Sequence, residues 1–131
     1  MRSICLAVLL AAAPMVSAHA CNETLAVVEE WSITPFDADN NKLVTTIRFK
    51  TEKPIRMIDG SFGFEDALGE RVASARMDRD AAIPAGGTHT QDGIWGPNTF
   101  ERLLKLRKEE VKPFTCVRAI LFEDGSKQEF E

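Results

Sequence analysis

The sequence predicts an all-β protein, an immunoglobulin-like antiparallel β-sandwich of about seven to eight strands. Three observations predict this fold class. Apolar residues recur with a period of two in several segments, clusters of Gly, Asp, Asn and Pro separate those segments, and Cys21 and Cys116 can form one long disulfide. A period of two indicates a half-buried strand, because successive side chains of a strand point to opposite faces of the sheet.

The N-terminal segment 1–20 has the pattern of a secretory signal peptide. Arg2 supplies a positive start, an apolar run follows, and small residues stand at Ala18 and Ala20. This pattern favours cleavage after Ala20. We therefore expect residues 21–131 to form a single domain that is periplasmic or secreted.

Cleavage would leave Cys21 and Cys116 as the remaining cysteines of the three in the chain. In an oxidising compartment, two cysteines of one small domain most simply form a disulfide. By the chain-entropy model, closing so long a loop would stabilise the fold by about 4–5 kcal/mol at most. The alternative is a lipoprotein with its lipid on Cys21, but Ala18 and His19 match the lipoprotein cleavage motif poorly.

The first two strands are predicted by alternation on either side of an Asx-rich turn. One side of the opening segment collects Leu25, Val27, Trp31 and Ile33, and one side of the next collects Leu43, Thr45, Ile47 and Phe49. Residues 37–41, Asp-Ala-Asp-Asn-Asn, predict the reversal between them, because Asx side chains satisfy backbone donors and tolerate left-handed conformations. We expect Trp31 to lie in the core.

Later segments repeat the pattern. Ile58, Phe62 and Phe64 alternate around Gly60, and Val117, Ala119 and Leu121 alternate with Arg118, Ile120 and Phe122. The second of these segments is apolar on both faces, which predicts a central strand. Turn residues at 66–69, 84–87 and 124–125 predict further reversals.

Residues 99–111 leave two interpretations open. Asn98 and Glu101 resemble a helix cap with an acid in the first turn, and apolar residues follow at helical spacing. The run 100–106 is also short enough for a strand followed by a turn. The segment is therefore either one short helix or a strand with a turn.

The turn-bearing segments resemble bacterial periplasmic modules with an immunoglobulin-like or fibronectin-like sandwich. The resemblance rests on residues 58–70, which look like a strand that closes on an Asp-x-x-Gly hairpin, on the Pro-Ala-Gly-Gly-Thr turn at 84–88, and on the Phe-Glu-Asp-Gly turn at 122–125. It covers about two-thirds of the predicted mature chain and implies a fold without implying a function.

Trp95 and His89 are the candidate binding residues. Trp95 lies in Gly-Ile-Trp-Gly-Pro, where glycine and proline end a regular strand, so its indole either projects to bind a partner or plugs the core. His89 follows Gly86-Gly87 and is either a polar strand residue or a metal ligand, for example for copper together with Met57 or Met77.

Several classes of function are not favoured. No Gly-x-Ser-x-Gly motif accompanies His89, and neighbouring carboxylates such as Glu29-Glu30 would point to opposite faces of a strand, so we predict no catalytic residues. A net charge of -4 with scattered Lys and Arg argues against nucleic-acid binding. No apolar run approaches the roughly 18 residues of a membrane span.

The sequence thus predicts an exported, non-catalytic binding or accessory module of the bacterial cell envelope. We expect a monomer without metal or cofactor, whose loops or edge strand bind an envelope protein or a glycan. Two alternatives stay open: a periplasmic metal-handling protein of the copper type that uses His89, and a small envelope hydrolase with carboxylate chemistry.

Overall fold

A computed structural model describes residues 21–130, so the predicted signal peptide at 1–20 lies outside the described residues. The strands are β1 (Ala26–Pro35), β2 (Asn41–Phe49), β3 (Ile55–Asp66), β4 (Arg71–Arg76), β5 (Thr88–Trp95), β6 (Val111–Phe122) and β7 (Lys127–Glu129). They form two antiparallel sheets, with the orders β1-β2-β5 and β4-β3-β6-β7. The predicted all-β class is confirmed, and this order is consistent with an immunoglobulin-like sandwich.

The core lies between the two sheets. Ile47 and Phe49 enter it from the first sheet, and Phe62, Phe64 and Val117 enter from the second, each with 2% or less of its surface exposed. The alternation predicted for β2 is confirmed, because Leu43, Thr45, Ile47 and Phe49 are all buried.

Two β-bulges change the predicted alternation elsewhere. The register of β1 with β2 shifts between Val28 and Glu30, so Val27 is 38% exposed while Trp31 and Ile33 pack against the core. The predicted shared face of Val27 with Trp31 is therefore wrong, because the extra residue of a bulge reverses the parity beyond it.

In β6 the extra residue is Arg118. It lies between the pairs Asp59↔Ala119 and Gly60↔Val117, so Ile120 and Phe122 face the core instead of Ala119 and Leu121. β6 lies between β3 and β7, which confirms its predicted central position.

Residues 99–111 form neither the predicted helix nor the alternative strand. They contain two short 3-10 helices, Glu101–Leu104 and Lys108–Glu110. The N–H of Leu103 donates to the carbonyl of Phe100 at 3.0 Å, and this i to i+3 bond places both apolar side chains on one buried side. Among residues 21–130, no helix has the length and apolarity that a membrane crossing requires.

The predicted disulfide between Cys21 and Cys116 is present, with 5.2 Å between the Cα atoms and a sequence separation of 95. Next to it, the N–H of Asn22 donates to the carbonyl of Val117 at 2.7 Å, and the N–H of Val117 donates back at 2.9 Å. The disulfide therefore holds the start of the described chain beside β6 before the chain enters β1.

Candidate binding edge on strand β5

β5 is an end strand of the three-stranded sheet. It pairs with β2 from Arg48↔Thr88 to Asn41↔Trp95 without a register shift. On its other side no strand of the described residues pairs with it. Because an unpaired edge presents a row of backbone N–H and C=O groups, the eight residues of β5 offer about 27 Å of free edge.

The other three edges carry features that hinder pairing with a further strand. β1 has the bulge and the adjacent charges of Glu29 and Glu30, β4 has an arginine at each end of its six residues, and β7 has only three residues. Bulges, charges and short strands are the usual protection of an edge. β5 has no bulge, Pro, Lys or Arg, so it is the least protected edge of the described part.

The outer face of β5 exposes Thr88, Thr90, Asp92 and Ile94 in alternation. The hydroxyls of Thr46 and Thr90 lie 2.8 Å apart, Lys42 Nζ lies 3.3 Å from a carboxylate oxygen of Asp92, and Ile94 is 53% exposed. A strand added at this edge would meet a hydroxyl, a charge and an apolar side chain in a defined order.

The inner face of β5 is joined to the connection between β4 and β5. His89 Nε2 lies 2.8 Å from Asp78 Oδ2. Gln91 accepts from the N–H of Asp78 at 3.0 Å and donates to the carbonyl of Arg76 at 3.1 Å. These contacts join β5 to the end of β4 and to the residues that follow it, and so they hold β5 in position.

His89 therefore lies beside one carboxylate. Within residues 21–130, no group of three or more His, Cys, Asp or Glu side chains is arranged to hold a metal ion. A stable site for a divalent transition metal usually needs at least three protein ligands. The geometry at His89 thus gives no support to the metal-handling alternative.

The indole of Trp95 packs at the end of β5. Its ring lies 5.0 Å from that of Phe100 in an edge-to-face arrangement, and the side chain is partly buried against the core. A Cβ added at Gly93 would lie 2.8 Å from Trp95 Nε1, so the absent side chain makes room for the indole. Trp95 turns back towards the core at this point.

His89 and Trp95 share one strand and one side of its pleat, but they stand six positions apart. At the rise of a strand this is about 20 Å, so the two candidates do not form one pocket. The sequence did not predict that β5 is a free edge. It shows that this segment lacks Pro, Lys and Arg, but the place of the segment at the end of the sheet depends on which strands pair with each other.

Three described carboxylates have a pKa below its ordinary value, which is the opposite of the raised pKa that general acid catalysis uses. Asn40 lowers the pKa of Asp37 by hydrogen bonding, Arg102 does so for Asp66, and Ser126 and Lys53 lower the pKa of Asp124 to about 2. These interactions stabilise ionised carboxylates. Among the described carboxylates whose pKa departs from its ordinary value, each has its own donor and none shares a proton with another.

An open cleft of about 610 Å³ lies at the end of the sandwich where β2 ends. Leu25 and Phe122 contribute apolar surface to it, and lysines line its rim. Lys53 lies 3.0 Å from Asp124 and Lys127 lies 2.9 Å from Glu129, so carboxylates already balance two of these charges. The cleft is a weaker candidate site than the β5 edge.

Together these features define residues 21–130 as an all-β unit with two antiparallel sheets, the Cys21–Cys116 disulfide and β5 as the least protected edge. Comparisons with protein-family models, with curated proteins and with solved structures gave no match.

Proposed function

We propose that the protein is an exported, non-catalytic binding module of the bacterial cell envelope that recognises a partner protein by β-strand addition at β5. The observation that supports this function is the eight-residue edge of β5, which is regular and lacks the protection found at the other edges. In strand addition, backbone hydrogen bonds supply affinity and alternate side chains supply specificity.

The arrangement of β5 favours such recognition. Pairing with β2 on one side and the contacts of His89 and Gln91 on the inner face hold the strand extended before a partner arrives. A preformed edge lowers the entropy cost of binding. The partner contributes an extended segment whose side chains meet Thr90, Asp92 and Ile94 on the outer face.

Export is proposed from the pattern at 1–20 and is supported by the disulfide, which suits an oxidising compartment. Intact mass of the exported protein tests this part. We expect cleavage after Ala20 and two thiols that alkylate only after reduction. A mass increase of lipid size at Cys21 would contradict the prediction.

Binding is tested with two lysine substitutions on the outer face of the same sheet. Thr90→Lys adds to β5 the type of charge that protects natural edges, and Thr34→Lys adds the same charge to the outer face of β1 as the matched control. The mature protein is used to capture partners from an envelope extract, and hydrogen exchange is measured on the isolated complex.

We expect a partner that binds the unsubstituted protein and the Thr34→Lys variant but not the Thr90→Lys variant. The backbone amides of β5 should exchange more slowly in the complex, because strand addition brings their free groups into hydrogen bonds. Equal capture by both variants, or unchanged exchange in β5, would show that recognition uses another surface.

A further inference from the structure

We propose a second binding site, a groove beside Trp31 that takes an alkylammonium ligand in competition with the ammonium group of Lys108. The groove has a volume of about 430 Å³, and its lining includes Glu30, Trp31, Ser32 and Lys108. Val44 and Thr46 of β2 also line it, so the groove lies over β1 and β2 and includes no residue of β5.

Trp31 supplies the aromatic face. One side of the residue packs towards the core, with its ring 5.2 Å from that of Phe64. Lys108 Nζ lies 3.8 Å from the ring centroid of Trp31 and also donates a hydrogen bond to the Trp31 carbonyl. An indole face attracts cations through its quadrupole, and recognition of alkylammonium ligands uses this interaction.

The charges around the ring also favour a cation. Glu30 lines the groove and has no ion-pair partner among the described residues, while Glu29 pairs with Arg48. The β1 bulge between Val28 and Glu30 places this carboxylate next to Trp31 in the chain. Glu30 and Trp31 are neighbours in a strand and point to opposite faces, so the indole face and the carbonyl of Trp31 make the direct contacts with an ammonium ligand, while Glu30 adds negative charge to the wall of the groove.

Lys108 is suited to leave the groove. It is an exposed residue at the start of a three-residue 3-10 helix, so its ammonium group can return to water without a change in the core. A tethered group competes at an effective concentration in the millimolar range or above. Removal of Lys108 should therefore strengthen binding of an external ammonium ion.

Fluorescence titration with tetramethylammonium, at constant ionic strength, tests the site. The chain has two tryptophans, so Trp95→Phe leaves Trp31 as the single emitter and keeps an aromatic ring against Phe100. Into this background we place Lys108→Ala, or Lys108→Met to retain the length of the side chain. Lys105→Ala, which removes another exposed lysine of the same segment, is the matched control.

We expect both Lys108 variants to bind tetramethylammonium at least about tenfold more tightly than the background protein or the Lys105→Ala control. Adding Glu30→Gln to Lys108→Met should weaken that binding. Parallel titrations with free choline and with phosphatidylcholine vesicles distinguish a soluble ligand from a lipid headgroup. No saturable change up to about 100 mM in folded Lys108 variants, or equal affinity in the Lys105→Ala control, would overturn the proposal.

Discussion

The carboxylate of Asp66 lies 2.7 Å from the guanidinium of Arg102, which joins the turn between β3 and β4 to the first 3-10 helix. Asp66 also accepts hydrogen bonds from the backbone N–H groups of Leu68 at 2.9 Å and Glu70 at 3.0 Å. Its side chain is only 7% exposed. One carboxylate therefore orders a hairpin turn and attaches a second segment to it.

Asp66→Asn should lower the Tm by several degrees at pH 7. The variant keeps an acceptor oxygen but loses the negative charge that faces Arg102. Because Arg102 and the backbone donors hold the pKa of Asp66 below its ordinary value, its contribution is present above the unfolded pKa of about 4. That contribution is lost as the pH falls through the lower, folded value.

Thermal unfolding of both proteins followed by circular dichroism checks this prediction. The difference in Tm between the unsubstituted protein and Asp66→Asn should persist from about pH 7 to pH 5 and shrink below about pH 4. A difference that stays constant down to pH 3 would mean that ionisation of Asp66 does not stabilise the fold.

The double variant Cys21→Ser, Cys116→Ser should reduce the free energy of unfolding by about 2–5 kcal/mol. The bond spans a sequence separation of 95, so its loss frees a long loop in the unfolded chain. Urea denaturation measures the change. The reduced, unsubstituted protein is the control and should match the double variant, whereas equal stability of the oxidised protein and the variant would contradict the prediction.

The parts of the fold that the sequence predicted are those that local chemistry determines. The alternation from Leu43 to Phe49 and the turn at 66–69 depend on neighbouring residues, and the structure has both. The cysteine pair could also be predicted, because a small exported domain with two cysteines leaves few alternatives.

The remaining features depend on contacts between distant segments. Whether Val27 or Val28 faces the core is decided by the bulge against β2, and the extra residue Arg118 is defined only by pairing with β3. Likewise, the contact of His89 with Asp78 and the free edge of β5 follow from the order of the strands. A single period-two pattern does not encode that order.

Phe100→Ala should destabilise the protein by about 3–5 kcal/mol, the usual cost of removing a buried phenylalanine ring. Phe100 is fully buried, and its ring lies 6.1 Å from that of Phe64 and 5.0 Å from that of Trp95. Leu104→Ala, in the adjacent 3-10 helix, is the control. Because Leu104 is 40% exposed, its substitution should change the free energy of unfolding far less.

Urea denaturation followed by far-ultraviolet circular dichroism compares the two variants. Similar stability losses would show that the 3-10 helix does not insert Phe100 between the sheets. Since residues 99–110 form neither a regular helix nor a strand, this comparison also tests whether one aromatic residue anchors the segment.

Gly93→Ala should displace the indole of Trp95. A Cβ at position 93 would lie 2.8 Å from Trp95 Nε1, closer than real side-chain contacts allow, so either the indole or the backbone of β5 must move. Because the indole packs against Phe100, we expect a changed near-ultraviolet circular dichroism signal and a red-shifted tryptophan emission.

Gly96→Ala is the matched control for this substitution. A Cβ there would have its nearest neighbour at 3.9 Å, which is ordinary contact, so its spectra should resemble those of the unsubstituted protein. If Gly93→Ala left the signal of Trp95 unchanged, the indole would not lie over Gly93. Trp95 would then be available to project from the end of β5 and to bind a partner beside the free edge.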